Sequence, residues 1–174
     1  MYPLRTNLLR LAAAAGLVAL AAPAGAQGIQ RLGDYDAWSA FRFTENGKVA
    51  CYMSSVPKKA VGKYKKRGDI FAIVAHWPSE DRRDEFSIVA GYKFKPESRV
   101  EVTIDGAKFR LFTEEDGAWA PDKKADKALV AAMIKGRSMV VKGTSSRGTK
   151  TTDTYALGGF TKAYKAIGKA CPKK

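Results

Sequence analysis

The chain is poor in the residues that build metal centres and acid–base machinery: its 174 residues contain two cysteines, Cys51 and Cys171, and one histidine, His76. Two distant thiols and one imidazole do not make up the ligand set of a zinc site, so no metal and no cofactor is expected. A histidine-dependent mechanism would rest on His76 alone. That residue lies inside the apolar run "AIVAHWP", where an imidazole is more often hydrogen-bonded core than a base. Beyond residue 26 no apolar run approaches the roughly 20 residues that a membrane-crossing helix requires. Internal repeats and low-complexity tracts are absent as well, and acidic residues are scarce, 17 Asp and Glu against 31 Lys and Arg.

The acidic residues fall in short clusters, Glu80-Asp81, Asp84-Glu85 and Glu114-Glu115-Asp116, each consecutive and set among arginines or beside glycine. Consecutive carboxylates in a turn read as solvated loop charge rather than a tuned acid/base pair. Gly143 and Gly148 lack the strand-to-helix setting followed by Lys-Ser/Thr that a phosphate-cradling loop needs. Ser55-Val56-Pro57-Lys58 spells S-x-x-K, and Lys142-Gly143-Thr144 follows downstream. In serine enzymes that use this pair the serine opens a helix, so that the lysine one turn later reaches its hydroxyl. Pro57 at the end of a predicted strand denies that geometry, and the match reads as coincidence.

The N-terminus carries basic Arg5 and Arg10, an apolar run from Leu11 to Ala22 and then Ala24-Gly25-Ala26. This is the pattern of a secretory signal with a small-residue cleavage site. Residues 1–26 are therefore expected to be removed, leaving one domain over 27–174, enough for a real core. The loss of Arg5 and Arg10 leaves 29 basic against 17 acidic residues, a formal charge of +12. Such a balance attracts anionic partners. In an oxidising compartment the lone cysteine pair is most simply a disulfide, closing a loop of 120 positions between Cys51 and Cys171.

Trp38 to Thr44 and Val49 to Ser55 flank Asn46-Gly47, the strongest short-range hairpin signal. A polar, basic connection follows, "PKKAVGKYKKRGD", read as the mobile part of the chain, and then "IFAIVAHW", read as a central strand buried on both faces. After a charged turn, "PSEDRRDE", come the strands "FSIVAGYKF", "RVEVTID" and "KFRLFTE". A helix is predicted from near Asp122 to Lys135, with Leu129, Val130, Met133 and Ile134 on one side and Gly136 as its stop. A second helix begins near Phe160, with Phe160, Ala163, Tyr164 and Ile167 on its apolar face and Lys162, Lys165 and Lys169 opposite. The fold class is thus mainly β: an antiparallel β-sandwich or barrel-like domain with two short helices, one of them C-terminal.

Two segments invite a functional reading. The stretch Gly143 to Phe160, "GTSSRGTKTTDTYALGGF", is crowded with hydroxyls beside basic residues. Threonine and tyrosine suit a half-exposed sheet face, so the segment reads as a hairpin turning at Ser145 to Gly148, its hydroxyls forming cross-strand ladders. The alternative is a small hydrolase, or a modulator of cell-wall enzymes, that uses those hydroxyls. The other segment places Lys58, Lys59, Lys63, Lys65, Lys66 and Arg67 around Tyr64, and lysines interleaved with an aromatic suit a polyanion. For an exported chain, anionic glycolipid or glycan at a cell surface is a better match than nucleic acid.

"GDYDAW", "VACYM", "FSIVAGYKF", "DGAW", the run "ALVAAMIKGRSMVVKGTSSRGTKTTDTYALGGF" and the final "KAC" together resemble the invasion-associated locus B family of small exported bacterial proteins. The likeness covers essentially the whole mature chain and is most specific in the C-terminal third. It implies a β-rich periplasmic, secreted or surface-associated protein, linked in name to host-cell invasion, without an established enzyme activity. It implies the Cys51–Cys171 bridge and no catalytic residues, and it extends the partner expectation to a host-cell component.

Overall fold

In a computed structural model the described residues are 28–173. The expected signal segment, 1–26, lies outside them. Every strand pairing is antiparallel. Strands β1 (Gln30–Tyr35), β2 (Trp38–Glu45) and β3 (Lys48–Ser55) form a meander, with Asn46 at φ 50° and Gly47 at φ 73° making the expected tight turn. Next in the chain come β4 (Lys59–Gly62), β5 (Phe71–Trp77), β6 (Arg82–Val89), β7 (Arg99–Ile104), β8 (Ala107–Glu114) and β9 (Gly117–Trp119). Helix α1 (Lys123–Lys135), strands β10 (Ser138–Thr144) and β11 (Lys150–Ala156), and helix α2 (Phe160–Ala170) follow to the end of the described residues.

Among the described residues the strands make one sheet in the order β1-β2-β3-β5-β6-β9-β8-β7-β10-β11-β4. The sheet curls on itself: the Trp38 indole at the start of β2 donates to the Ala156 carbonyl at the end of β11 over 3.1 Å. This is the expected mainly-β, barrel-like architecture with two helices, left open because the edge strands β1 and β4 do not pair with each other. The concave face gathers Trp38, Met53, Val74, Phe86, Ile88, Val102, Leu111, Met139 and Tyr155 into one core. Helix α2 covers β1, β2 and β3, while α1 covers β6 and β8.

Several sequence readings are corrected. Strand β5 is fully buried on one face, where Ala72, Val74 and His76 point into the core, while on the other Ala75 is buried and Phe71, Ile73 and Trp77 are only half-buried. That outer face carries Phe41, Phe43, Tyr52 and Trp77 as an aromatic layer, so the apolar run serves two surfaces rather than a two-sided core. The charged turn is only Pro78–Glu80 and Asp81, because Arg82 to Glu85 already pair in β6. "FSIVAGYKF" leaves the sheet after Val89, where Gly91 takes φ 70°. The basic connection holds the short edge strand β4, laddered to β11, where the sequence suggests only a loop. Ile134 is 39% exposed, as it falls outside the arc spanned by Leu129, Val130 and Met133.

Both helix ends that flank the C-terminal hairpin are set by close packing. Gly159 takes φ 83°, and a Cβ there would lie 1.6 Å from the Tyr35 carbonyl oxygen, so the turn into α2 admits no side chain. Asp122 caps α1 by accepting the Ala125 N–H at 2.8 Å. Gly136 ends that helix with an extended backbone, at φ −82°, rather than the left-handed stop expected of a terminal glycine.

The Cys51–Cys171 disulfide, with Cα atoms 6.0 Å apart, ties the end of α2 to β3. Both cysteines are buried, and Arg83 holds the same end by donating to the Cys171 carbonyl at 2.7 Å. Closing a loop of 120 positions restricts the unfolded chain by at most about 4–5 kcal/mol. Cys51→Ser, Cys171→Ser and the double variant should therefore lower the melting temperature by similar amounts, without additivity. Calorimetry of the three variants, with a thiol assay of the native protein, tests this; titratable thiols in the oxidised fold would refute it.

Candidate functional site

A cleft of about 690 Å3 opens where three segments meet: Lys63–Gly68, Gly91–Lys93 and the β10–β11 turn with Thr149 and Thr151. The basic segment and the hydroxyl-rich hairpin, read separately in the sequence, line one concavity.

Short hydrogen bonds hold the segments in place. Gly68 N–H donates to the Gly91 carbonyl at 2.9 Å, and Ser146 N–H donates to the Lys93 carbonyl at 2.8 Å. Gly91 is required by more than its positive φ, since a Cβ would sit 2.5 Å from the Gly68 oxygen. In the hairpin the Ser145 hydroxyl accepts the Thr149 N–H at 3.1 Å, which closes the turn.

Arg67 anchors the basic segment. Its guanidinium donates to both oxygens of Asp153, at 2.7 and 2.6 Å, and its Nε donates to the Ala90 carbonyl at 2.7 Å. Both side chains of the pair are almost wholly buried, at 4% and 3% exposure. The guanidinium also lies over the rings of Tyr92, 4.9 Å away, and Tyr64, 5.5 Å away. Burial alone would pull its pKa down, but the hydrogen bonds to Asp153 hold it above the ordinary value. Arg67 is therefore a structural residue. This departs from the sequence expectation, in which Arg67 counts with the lysines of a polyanion-binding segment.

The floor of the cleft is neutral. The Tyr92 hydroxyl and the Thr151 hydroxyl are 2.6 Å apart, and Thr151 is buried. Burial raises the Tyr92 pKa, partly offset by the Thr151 hydrogen bond. Thr151, Asp153 and Tyr155 all face inward, whereas Thr152 and Thr154 lie on the half-exposed face, so only half of the hydroxyls follow the expected half-exposed ladder. Gly143, opposite Thr151, leaves room for Tyr92: a Cβ there would lie 2.7 Å from its oxygen.

Lys63, Lys65, Lys66 and Arg147 are exposed at the rim and make no ion pair among the described residues. Lys93 is paired with Glu115 at 2.6 Å, which raises its pKa and reduces its share of the field. Lys58 and Lys59 are exposed at the start of β4 and do not line the cleft. Tyr64 stands at the mouth, 36% exposed. Four free cations over a hydroxyl-bearing floor can hold an anionic group.

The hydroxyls find no base here. Ser145 is engaged by a backbone amide, Thr151 by Tyr92, and the nearby carboxylate of Asp153 by Arg67. Ser55, the serine of the S-x-x-K string, is buried at the end of β3 and donates to the Val56 carbonyl. His76 belongs to the core. Its Nδ1 accepts the Asp84 N–H at 3.2 Å, its ring packs edge-on against Tyr164, and burial lowers its pKa, with the Arg83 charge adding to the effect. The Tyr164 hydroxyl donates to Asp84 at 2.7 Å, and burial with that bond pushes its pKa up to about 12.

The model of the invasion associated locus B (IalB) protein family matches residues 38–168. No curated protein sequence matches the chain. Among solved structures, the crystal structure of invasion associated protein B from Bartonella henselae superposes with a TM-score of 0.55 at 16% identity, covering 79% of this chain and 95% of that one. At that identity the likeness is one of fold.

The ion pair supplies the test of this geometry. Removing either partner strands the other charge in the interior, a loss of about 3–5 kcal/mol. Arg67→Ala and Asp153→Ala should each destabilise the fold by that order, and the double variant should lose less than their sum. Arg67→Lys should rescue little, because a lysine cannot make the two-pronged contact. Urea unfolding of the four variants measures each of these.

Proposed function

Because the chain belongs to the invasion-associated locus B family, matched over residues 38–168, we propose that it is an exported binding protein rather than an enzyme. It acts in the periplasm, at the cell surface or after secretion, and its basic cleft takes an anionic saccharide ligand. The observation that carries this reading is the convergence of Lys63, Lys65, Lys66 and Arg147 on one cleft, with Arg67 withdrawn from the rim to hold it. Among the described residues no helix is long and apolar enough to cross a membrane.

The ligand chemistry follows from the lining. Phosphate or sulfate esters suit the lysines and Arg147, the Tyr64 ring offers a flat face to a sugar, and Ser146 offers a hydroxyl. Lipopolysaccharide-like glycolipid and sulfated host glycan both present that combination. The loop cations act as a local patch within the formal +12, rather than as net charge alone.

Vesicles carrying lipopolysaccharide and a heparin-derived oligosaccharide serve as the two probes. Binding should weaken steeply with salt, since exposed charges are screened over about 10 Å at 0.1 M ionic strength. Replacing Lys63, Lys65, Lys66 and Arg147 by Gln should reduce affinity at least about tenfold without shifting the melting temperature, at roughly 0.5 kcal/mol or more per cation. The same change at Lys162, Lys165 and Lys169, exposed on α2, should have a much smaller effect. Equal losses from both sets would reduce the reading to non-specific attraction, and the probe that is retained identifies the source of the ligand.

A further inference from the structure

A second cleft of about 380 Å3 has the opposite charge. It lies where β9 ends and the chain turns into α1, and its chemistry comes from Arg82, Glu85, Phe112, Glu114, Trp119 and Asp126. Residues from two separate acidic clusters in the sequence, Glu85 and Glu114, are brought together here because β6, β9 and β8 are neighbours in the sheet.

Two features distinguish this cleft from a solvated acidic surface. The first is an aromatic wall: Phe112 and Trp119 pair across β8 and β9 with ring centroids 5.8 Å apart and planes tilted by 30°, and Phe112 is 36% exposed. The second is Asp126, whose residue exposure is only 9%. One of its oxygens accepts the Phe86 N–H at 2.9 Å, just beyond the last β6–β9 pair, and the residue lines the cleft with no cationic partner among the described residues. A largely buried carboxylate without a counter-ion is costly to keep charged.

Arg82 does not fill that need. Its guanidinium is bound to Glu80 and Glu85 and lies over the Trp77 ring at 5.1 Å. Glu114 and Asp126 are left without a cationic partner among the described residues. A hard metal ion would want six or more oxygen ligands, and an aromatic wall supplies none. A cation with a carbon body would meet both halves of the lining, its charge facing the carboxylates and its body on the rings.

We propose that this cleft binds a small organic ammonium ion, its charge taken by Asp126 and Glu114 and its carbon body resting on Phe112 and Trp119. The site is independent of the basic cleft and would sort ligands of opposite sign to a different part of the surface. Asp126 also makes it pH-sensitive. Burial first, then repulsion from Glu85 and Asp84 of β6 and Asp122 at the start of α1, raises its pKa to about 6. The Phe86 amide opposes this rise, and Arg82 and Glu114 also border the group. Below that pH Asp126 is neutral and attracts a cation less, so affinity increases as pH rises through about 6.

The test is a titration of the exported chain with choline and with putrescine, following the Trp119 indole N–H by NMR. The control is 3,3-dimethylbutanol, the uncharged counterpart of choline. At least one cation should produce saturable shifts, and the alcohol should not. Glu114→Gln and Phe112→Leu lie at exposed positions that do not threaten folding, and each should weaken binding about fivefold. Asp126→Asn should weaken binding and abolish its pH dependence near 6 while keeping the acceptor for Phe86. Saturation by neither cation, equal shifts from the alcohol, or unchanged affinity in the Glu114 and Phe112 variants would overturn the proposal.

Discussion

The geometry of the basic cleft depends on one buried ion pair. Arg67 reaches inward from a segment outside the ladder, takes both oxygens of Asp153 on β11 and the Ala90 carbonyl, and packs against two tyrosines. Desolvating two charges consumes much of what their attraction returns, so the pair is weak evidence for net stability. Its effect is positional. It fixes the course of Lys63–Gly68 against Gly91 and against the hairpin, and the exposed lysines beside it inherit that placement. The one basic residue of the segment that is not free is thus the one that gives the others a common direction.

That distinction was not legible in the sequence. Lys65, Lys66 and Arg67 are consecutive basic residues, and nothing local says that the third turns inward. The partner, Asp153, is 86 positions away in a run of threonines that reads as a surface ladder. The only signal was the odd acid: a carboxylate flanked by Thr152 and Thr154 breaks the polar, uncharged pattern and implies a distant cation. Burial of Thr151 and Asp153 then follows from the two-residue period, because Tyr155, two positions on, is core.

Elements governed by short-range rules were readable. The Asn46-Gly47 turn, the strands that follow a two-residue alternation, the Asp122 cap and the apolar stripe of α2 all appear where local chemistry puts them. What failed was non-local. Strand β4 exists because β11 offers it an edge, not because "KAVG" favours extension, and β9 is three residues made regular by two neighbours. Glu85 and Glu114 looked like separate turn charges because sequence order hides the adjacency of β6, β9 and β8.

The floor of the basic cleft adds a last constraint on what it can hold. Tyr92 and Thr151 contribute two hydroxyl protons but make only one hydrogen bond to each other, whichever of them donates. One O–H is left over as a donor. The raised pKa of Tyr92 keeps the pair protonated through the physiological range, so the donor persists there. The pair thus keeps one proton to offer as well as free lone pairs, and carries no charge of its own that would repel an anion. The rim lysines add attraction but, as mobile point charges, little shape. On the proposed reading, this hydroxyl pair and Gly143, whose missing side chain gives Tyr92 its place, shape the floor that an anionic ligand would meet, while the lysines set how strongly and how salt-sensitively it would be drawn in.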